Sequence, residues 1–338
     1  MTALLTVSLL AACSKVERHP DLTVQEIALY PLGSSMTRAE GDFNEDAVLG
    51  VYAYHADDQN QAQTPWNAVW AGASEYLNDV PFALKNGYWV GKDESYYWPS
   101  AGFLMFAGYA PHQDYSEGTI EKVEFASHEY DGNPYLVIDF TQNTVLDRMV
   151  DLLWFDVKDV ASGYAVAKTA DAVPITFKHA LAKVSFNFTD DAQRYKLKSV
   201  KLQGCINSSK FYSGNTAGWL PDVEHITEVE EYKLLEVSGD AQAPILNGWG
   251  TDKSMYVIPQ YLDGIFPVLG GTADKEVDVV LEFELTEGFA GQTIQIPLKD
   301  YTAHWDMGKH YVYAIEVNAN PIEFGKLDVV VLPQVNLM

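Results

Sequence analysis

The chemistry open to a chain is limited by its nucleophiles, acids and metal ligands, and here these are few or scattered. Two cysteines, Cys13 and Cys205, cannot build a disulfide framework or a cysteine-rich zinc site. Cys205 follows Gly204, and no His or Asn arrangement marks it as a nucleophile. His304 and His310 stand six apart around Trp305 and Gly308. That spacing suits neither a helix face nor a common metal pair, so both read as structural. His179, in Phe177-Lys178-His179-Ala180, reads as a core or interface histidine of a strand. No phosphate-binding glycine loop, dinucleotide fingerprint, serine elbow or zinc-protease motif occurs, and no carboxylate pair stands out. The expectation is a chain that is not an enzyme and has no catalytic residue, no metal and no cofactor. The aromatic group Trp66, Trp70, Tyr76, Trp89, Tyr96, Tyr97 and Trp98 could stack on sugar rings. Core packing is the preferred reading of it.

A different chemistry sits near the start. Ala3 to Ala12 is a short apolar run ending in small residues, too short to span a membrane. The tetrapeptide Leu10-Ala11-Ala12-Cys13 resembles a bacterial lipobox. Small residues let a peptidase groove close on the backbone, and the Cys13 sulfur is the nucleophile that takes a diacylglycerol. The expectation is a signal peptide over 1–12, lipidation at Cys13, and an anchor made firm by several acyl chains together. No Lys or Arg precedes the apolar run, which leaves open a start upstream of Met1. The polar spacer Ser14 to Asp21 follows, then Leu22 to Leu32, which reads as one strand of imperfect alternation. Gly33 to Gly41 is a loop of small residues with a single Arg, Arg38 before Ala39. A protease can reach such a loop, but on its own residues it reads as a plain linker.

The elements that must position these residues are strands. The chain has 338 residues, 47% hydrophobic and 13% aromatic, enough apolar surface for real cores and biased towards β-structure. Its net charge of −25 repels phosphate backbones and gives no help at an anionic lipid surface, so no nucleic-acid partner is expected. Strands are expected over Val48–Tyr54, Ala83–Val90, Phe103–Tyr109, Tyr135–Phe140 and Leu152–Val157. A second series runs over Ile175–Phe188, Leu197–Leu202, Met255–Ile258, Val277–Leu285, Thr293–Leu298 and Tyr311–Val317. Asp46–Gly50 and Asp222–Leu235 could each hold a helical turn or two. Short strands at this spacing argue for two β-sandwiches in tandem, 39–165 and 166–338, with a linker near Ala161–Ala172.

The tail, 327–338, is the most informative segment. Its odd positions are Leu327, Val329, Val331, Pro333, Val335 and Leu337, all apolar, while its even positions are mixed. That is the pattern of a half-buried strand. Burying five such side chains is worth on the order of 10 kcal/mol gross. Pro333 interrupts the ladder once, which suits an edge strand or a switch of partners. Either its own domain or a neighbouring molecule must cover it.

Taken in order, several segments resemble the fimbrillin family, the Mfa-like subunits of type V pili of Bacteroidia. They are the lipobox at Cys13; Thr37-Arg38-Ala39; Tyr97-Trp98-Pro99 with Phe106 to Pro111; Asp151-Leu152-Leu153; Phe177 to Phe186; Tyr256 to Gln260; Trp305 to Tyr313; and Asn320 to Phe324. The resemblance implies an all-β fold of two tandem transthyretin-like β-sandwich domains. Before them would come the signal peptide and a lipidated propeptide, 13–38, that holds a removable first strand. It implies an outer-membrane lipoprotein precursor, a protease cutting after Arg38, and an extracellular fimbrium of fimbrillin subunits. The segment 1–38 carries Lys15, Arg18 and Arg38 against Glu17, Asp21 and Glu26, so the trimmed form keeps the whole net charge. Loss of the first strand would open a groove that the next subunit's tail fills through Leu327, Val329, Val331, Val335 and Leu337. The expected function is a structural pilin polymerising by donor-strand exchange. The alternative is a pilus tip or anchor subunit, or a surface adhesin lipoprotein binding a host or bacterial glycan or protein.

Overall fold

A computed structural model describes residues 25–31, 47–57, 74–127, 134–156, 166–168, 171–189, 195–214, 217–220, 229–238, 241–262, 280–286, 292–317 and 323–331. No α-helix occurs among the described residues; three short 3-10 turns, Gln113–Tyr115, Leu146–Arg148 and Leu298–Asp300, punctuate a chain of strands. The first half gives β1 (Leu29–Pro31), β2 (Val48–Ala56), β3 (Ser74–Lys85), β4 (Tyr88–Gly91), β5 (Phe103–Ala110), β6 (Ile120–Ser127), β7 (Pro134–Thr141) and β8 (Leu153–Phe155). Three short strands follow, β9 (Val166–Ala167), β10 (Val173–Ile175) and β11 (Lys178–His179). The rest is β12 (Ala182–Thr189), β13 (Lys196–Ile206), β14 (Ser208–Tyr212), β15 (Gly218–Leu220), β16 (Val229–Glu236), β17 (Met255–Val257), β18 (Val280–Thr286), β19 (Gln292–Pro297), β20 (Lys309–Glu316) and β21 (Glu323–Val331).

The largest sheet has nine strands in the order β10-β1-β4-β3-β2-β5-β8-β11, with β9 also on β5. Its two end strands, β10 and β11, are joined only by Thr176 and Phe177. Three peptide steps reach at most about 10 Å, so the sheet must curl back on itself. Inside the roll lies a core drawn wholly from this sheet and its flanks, including Ile27, Leu29, Val51, Phe82, Trp89, Trp98, Phe106, Phe155, Val173, Ile175 and Phe177. The opposite face carries Tyr52, Tyr109 and Trp154. These pack on Ile138, Phe140 and Phe211 of a second sheet, β15-β14-β7-β6. Alternation along β2 explains the two cores, because successive residues of a strand face opposite sides.

The remaining strands form two four-stranded sheets, β17-β12-β20-β21 and β16-β13-β18-β19. Between them lie Val184, Phe186, Phe188, Leu197, Val200, Leu202, Tyr232, Tyr311, Tyr313 and Ile315. The sheets do not divide at 165/166. β9, β10 and β11 belong to the roll, while β14 pairs with β7 of the first half and carries β15 on its other edge. β13 runs through Asn207 straight into β14, so one stretch of chain serves both units.

Several elements differ from expectation for identifiable reasons. Ala83–Val90 is a hairpin rather than one strand. Asn86 and Gly87 have φ values of 55° and 83°, the backbone that a two-residue turn between twisted strands requires. Ile175–Phe188 splits into β10, β11 and β12. The chain passes from the roll to the sandwich at Ala180-Leu181, both fully buried, so no polar residue marks the step. Asp46–Gly50 and Asp222–Leu235 give no helical turn among the described residues; strands start at Val48 and Val229.

Candidate assembly site

The removable-strand expectation falls on residues 22–32, of which 25–31 are described. Their exposure alternates strictly. Ile27, Leu29 and Pro31 are buried, while Glu26 is exposed and Ala28 and Tyr30 are half-buried. Ile27 and Leu29 are each 0% exposed. Burying two such side chains is worth about 3–6 kcal/mol.

This segment is bonded on both sides. Along one edge Leu29 is paired with Trp89 of β4 in antiparallel register, and Glu26 bridges Tyr97. There the Ile27 amide donates to the Tyr96 carbonyl at 2.7 Å, and the Trp98 amide donates to the Gln25 carbonyl at 2.8 Å. Along the other edge β1 runs parallel to β10, with Leu29, Tyr30 and Pro31 opposite Val173, Pro174 and Ile175. The Val173 amide donates to the Ala28 carbonyl at 2.8 Å. The segment is therefore an interior stave of the roll. Among the described residues no other strand lies beside β10, so there β1 alone ties it in.

The chemical consequence concerns surface rather than catalysis. Take the stave away and β4 loses its neighbour on that side. β10 is orphaned, and Trp89, Trp98, Val173 and Ile175 lose the side chains packed between them. What remains is an apolar slot bordered by unpaired backbone, a template for another strand. On the outer face Tyr30 and Tyr88 lie with ring centroids 6.2 Å apart.

The second candidate element, the tail, is held differently. Among the described residues β21 is the edge of its sheet and pairs only with β20, in antiparallel register, with Leu327, Val329 and Val331 opposite Tyr313, Tyr311 and Lys309. The first part of the expected donor thus lies on its own second sandwich in the single chain. Val335 and Leu337 lie outside the described residues, as do Cys13, Arg38 and Ala39. Arg38 falls in sequence between β1 and β2, so a cut there severs the stave from the rest of the roll.

The remaining candidates resolve into structure. Trp89 and Trp98 are core residues, Tyr96 is half-buried, and Tyr76 and Tyr97 are exposed; Trp66 and Trp70 lie outside the described residues. The seven aromatics therefore do not form one sugar-stacking face. Cys205 is fully buried, and desolvation pushes its thiol up well above the usual range, the opposite of an activated nucleophile. The His179 ring meets Asp151 at 2.7 Å, and that of His310 meets Ser185 at 2.8 Å. Among the described residues no group of His, Cys, Asp and Glu could hold a metal ion. Sequence reading reached β10, the other wall of the slot, only at Ile175 and did not separate it from the strands that follow. Its only signal is a three-residue Val-Pro-Ile, whose role depends on a partner far away in the chain.

A protein-family model described as fimbrillin-like matches residues 37–331. No curated protein matches the chain. Among solved structures it is similar to a fimbrial protein from Bacteroides vulgatus ATCC 8482, at 14% identity and a TM-score of 0.53, with 92% of this chain and 99% of that one covered. It is also similar to a candidate cell adhesion protein from Bacteroides uniformis ATCC 8492, at 15% identity and a TM-score of 0.50, with 92% and 98% covered. At these identities the likeness is one of fold.

Proposed function

Because the chain belongs to the fimbrillin-like family, whose members are fimbrial structural and adhesion proteins and not enzymes, we propose that it is a polymerising pilin of a cell-surface fimbria. It leaves the cell as a lipoprotein acylated at Cys13. A protease cuts it after Arg38, which removes the lipid and the first strand together. The slot then accepts the tail of a neighbouring subunit by strand addition. Slot and tail are different surfaces, so the contact is head-to-tail and does not close on itself. The subunit partners are other fimbrillins, and the outer membrane is a partner only before the cut.

One observation carries this reading. The segment N-terminal to Arg38 supplies an interior stave of a rolled sheet, with two fully buried side chains and bonded strands on either side. A propeptide of no structural consequence would be packed on the surface. The matched family span begins at Thr37, next to the proposed cut, which supports the reading further. β21 is an edge strand with one partner, so it can leave β20 without breaking a sheet in two. The test is the N-terminal sequence of the surface-exposed protein, together with fibre formation by chains lacking 327–338. Ala39 as first residue and loss of fibres on tail deletion are expected. A lipidated Cys13 on the assembled form would contradict the proposal and favour an anchor or adhesin.

A further inference from the structure

Residues 26–31 read Glu-Ile-Ala-Leu-Tyr-Pro, and residues 328–333 read Asp-Val-Val-Val-Leu-Pro. Position by position the two hexapeptides place an acid, a β-branched residue, a small or branched apolar residue, another apolar residue, a large apolar residue and a proline. We infer that the tail enters a second copy's slot in the direction and register of the strand it replaces. Val329 takes the place of Ile27, Val331 of Leu29 and Pro333 of Pro31, with Asp328 at the exposed position of Glu26. This rests on the strand-exchange reading above and specifies its occupant: another copy of this same chain.

The slot's geometry selects this arrangement. A shift of one residue in either direction turns the other face inward. It would bury Asp328 at position 27, or Gln334 at position 31, among apolar side chains, a costly change without a partner. A shift that moves Pro333 to position 29 puts proline at a position paired on both sides, with Val173 and Trp89, unlike position 31, whose pairing is with Ile175 of β10, the sheet's end strand. Reversing the strand about Val331 puts Pro333 at position 27, where the Ile27 amide donates to the Tyr96 carbonyl at 2.7 Å. Proline has no hydrogen to give there. In the proposed register it falls where the resident strand already has Pro31. The move also changes the tail's surroundings, from one neighbouring strand on β20 to two, β4 and β10.

Position 30 reports the register from outside the core, because Tyr30 lies beside Tyr88 on the outer face. The full chain carrying Tyr88→Cys and Leu332→Cys is cut after Arg38 and oxidised, then run on a non-reducing gel beside Tyr88→Cys/Val330→Cys and Tyr88→Cys/Gln334→Cys. The cut removes Cys13, and Cys205 is buried, so neither interferes. A disulfide-linked ladder in the Leu332→Cys chain alone is expected. A ladder in the Val330→Cys or Gln334→Cys chain instead overturns the register while leaving strand exchange standing. Cut chains that stay monomeric with their tails intact overturn both.

Discussion

Two strands near opposite ends of the chain are held in opposite ways. β1 is only three residues long, yet it is an interior stave, with β4 and β10 on either side and its core-facing residues closed off from water. β21 is nine residues long, yet it sits at a sheet edge on β20 alone. Length therefore does not decide which strand is integral to its sheet; the number of neighbours and the closure of the core do. The shorter strand has two ladders and a closed core to give up, whereas the longer one has a single ladder; under the proposal a proteolytic cut is what frees the shorter. An asymmetry of this kind suits a molecule that must keep its slot filled until it reaches the surface while keeping a transferable strand in reserve.

The largest test of that contrast is on the stave itself. Leu29→Ala in the uncut chain is expected to cost about 2–5 kcal/mol in urea denaturation, the range for a leucine removed from a closed core. A loss below about 0.5 kcal/mol, the range of surface substitutions, would mean that β1 is only laid on the roll. Next comes the dependence of β10 on β1. In the cut chain lacking 327–338, whose slot no tail can refill, the amides of Val173 and Ile175 should lose hydrogen-exchange protection, while those of Val200 and Leu202, in a strand flanked by β16 and β18, should keep it. Unchanged protection at Val173 would break the coupling. A smaller difference is expected before any cut: amides of β21 should exchange faster than that of Leu29, because an edge strand opens locally more readily than an interior one. The smallest expected effect is none. Cys205, in the second core, should stay unreactive towards a thiol reagent both before and after removal of 1–38, showing that the opening is confined to the roll. Labelling after the cut would show instead that the whole fold loosens.

Much of this was legible where the signal is local. The alternation through Ile27, Leu29 and Pro31 is in the residues, and so is the apolar face of 327–337. The turn at Asn86-Gly87 is a local signal too, and it is what divides Ala83–Val90. Pairing was not legible. Nothing in the sequence near Leu29 says that its neighbours are Trp89 and Val173, which lie 60 and 144 residues away in the chain. Nor do Ser208–Tyr212 announce that they complete a sheet begun by β6 and β7, since that sheet is assembled from distant segments. Val229–Glu236 misled because Glu, Lys and Leu are good helix formers, and the long-range ladder with β13 overrides them.

The central claim is that trimming empties a slot which a second copy's tail then fills. Its most direct test takes the purified chain through cleavage after Arg38, confirms by mass that residues 1–38 have left, and follows size by light scattering with and without residues 327–338. Growth into multimers by the cut chain that keeps its tail, and none by the cut chain that lacks it, is the predicted result. A trimmed chain that stays monomeric with its tail present, or multimers that grow equally well without it, would contradict the account.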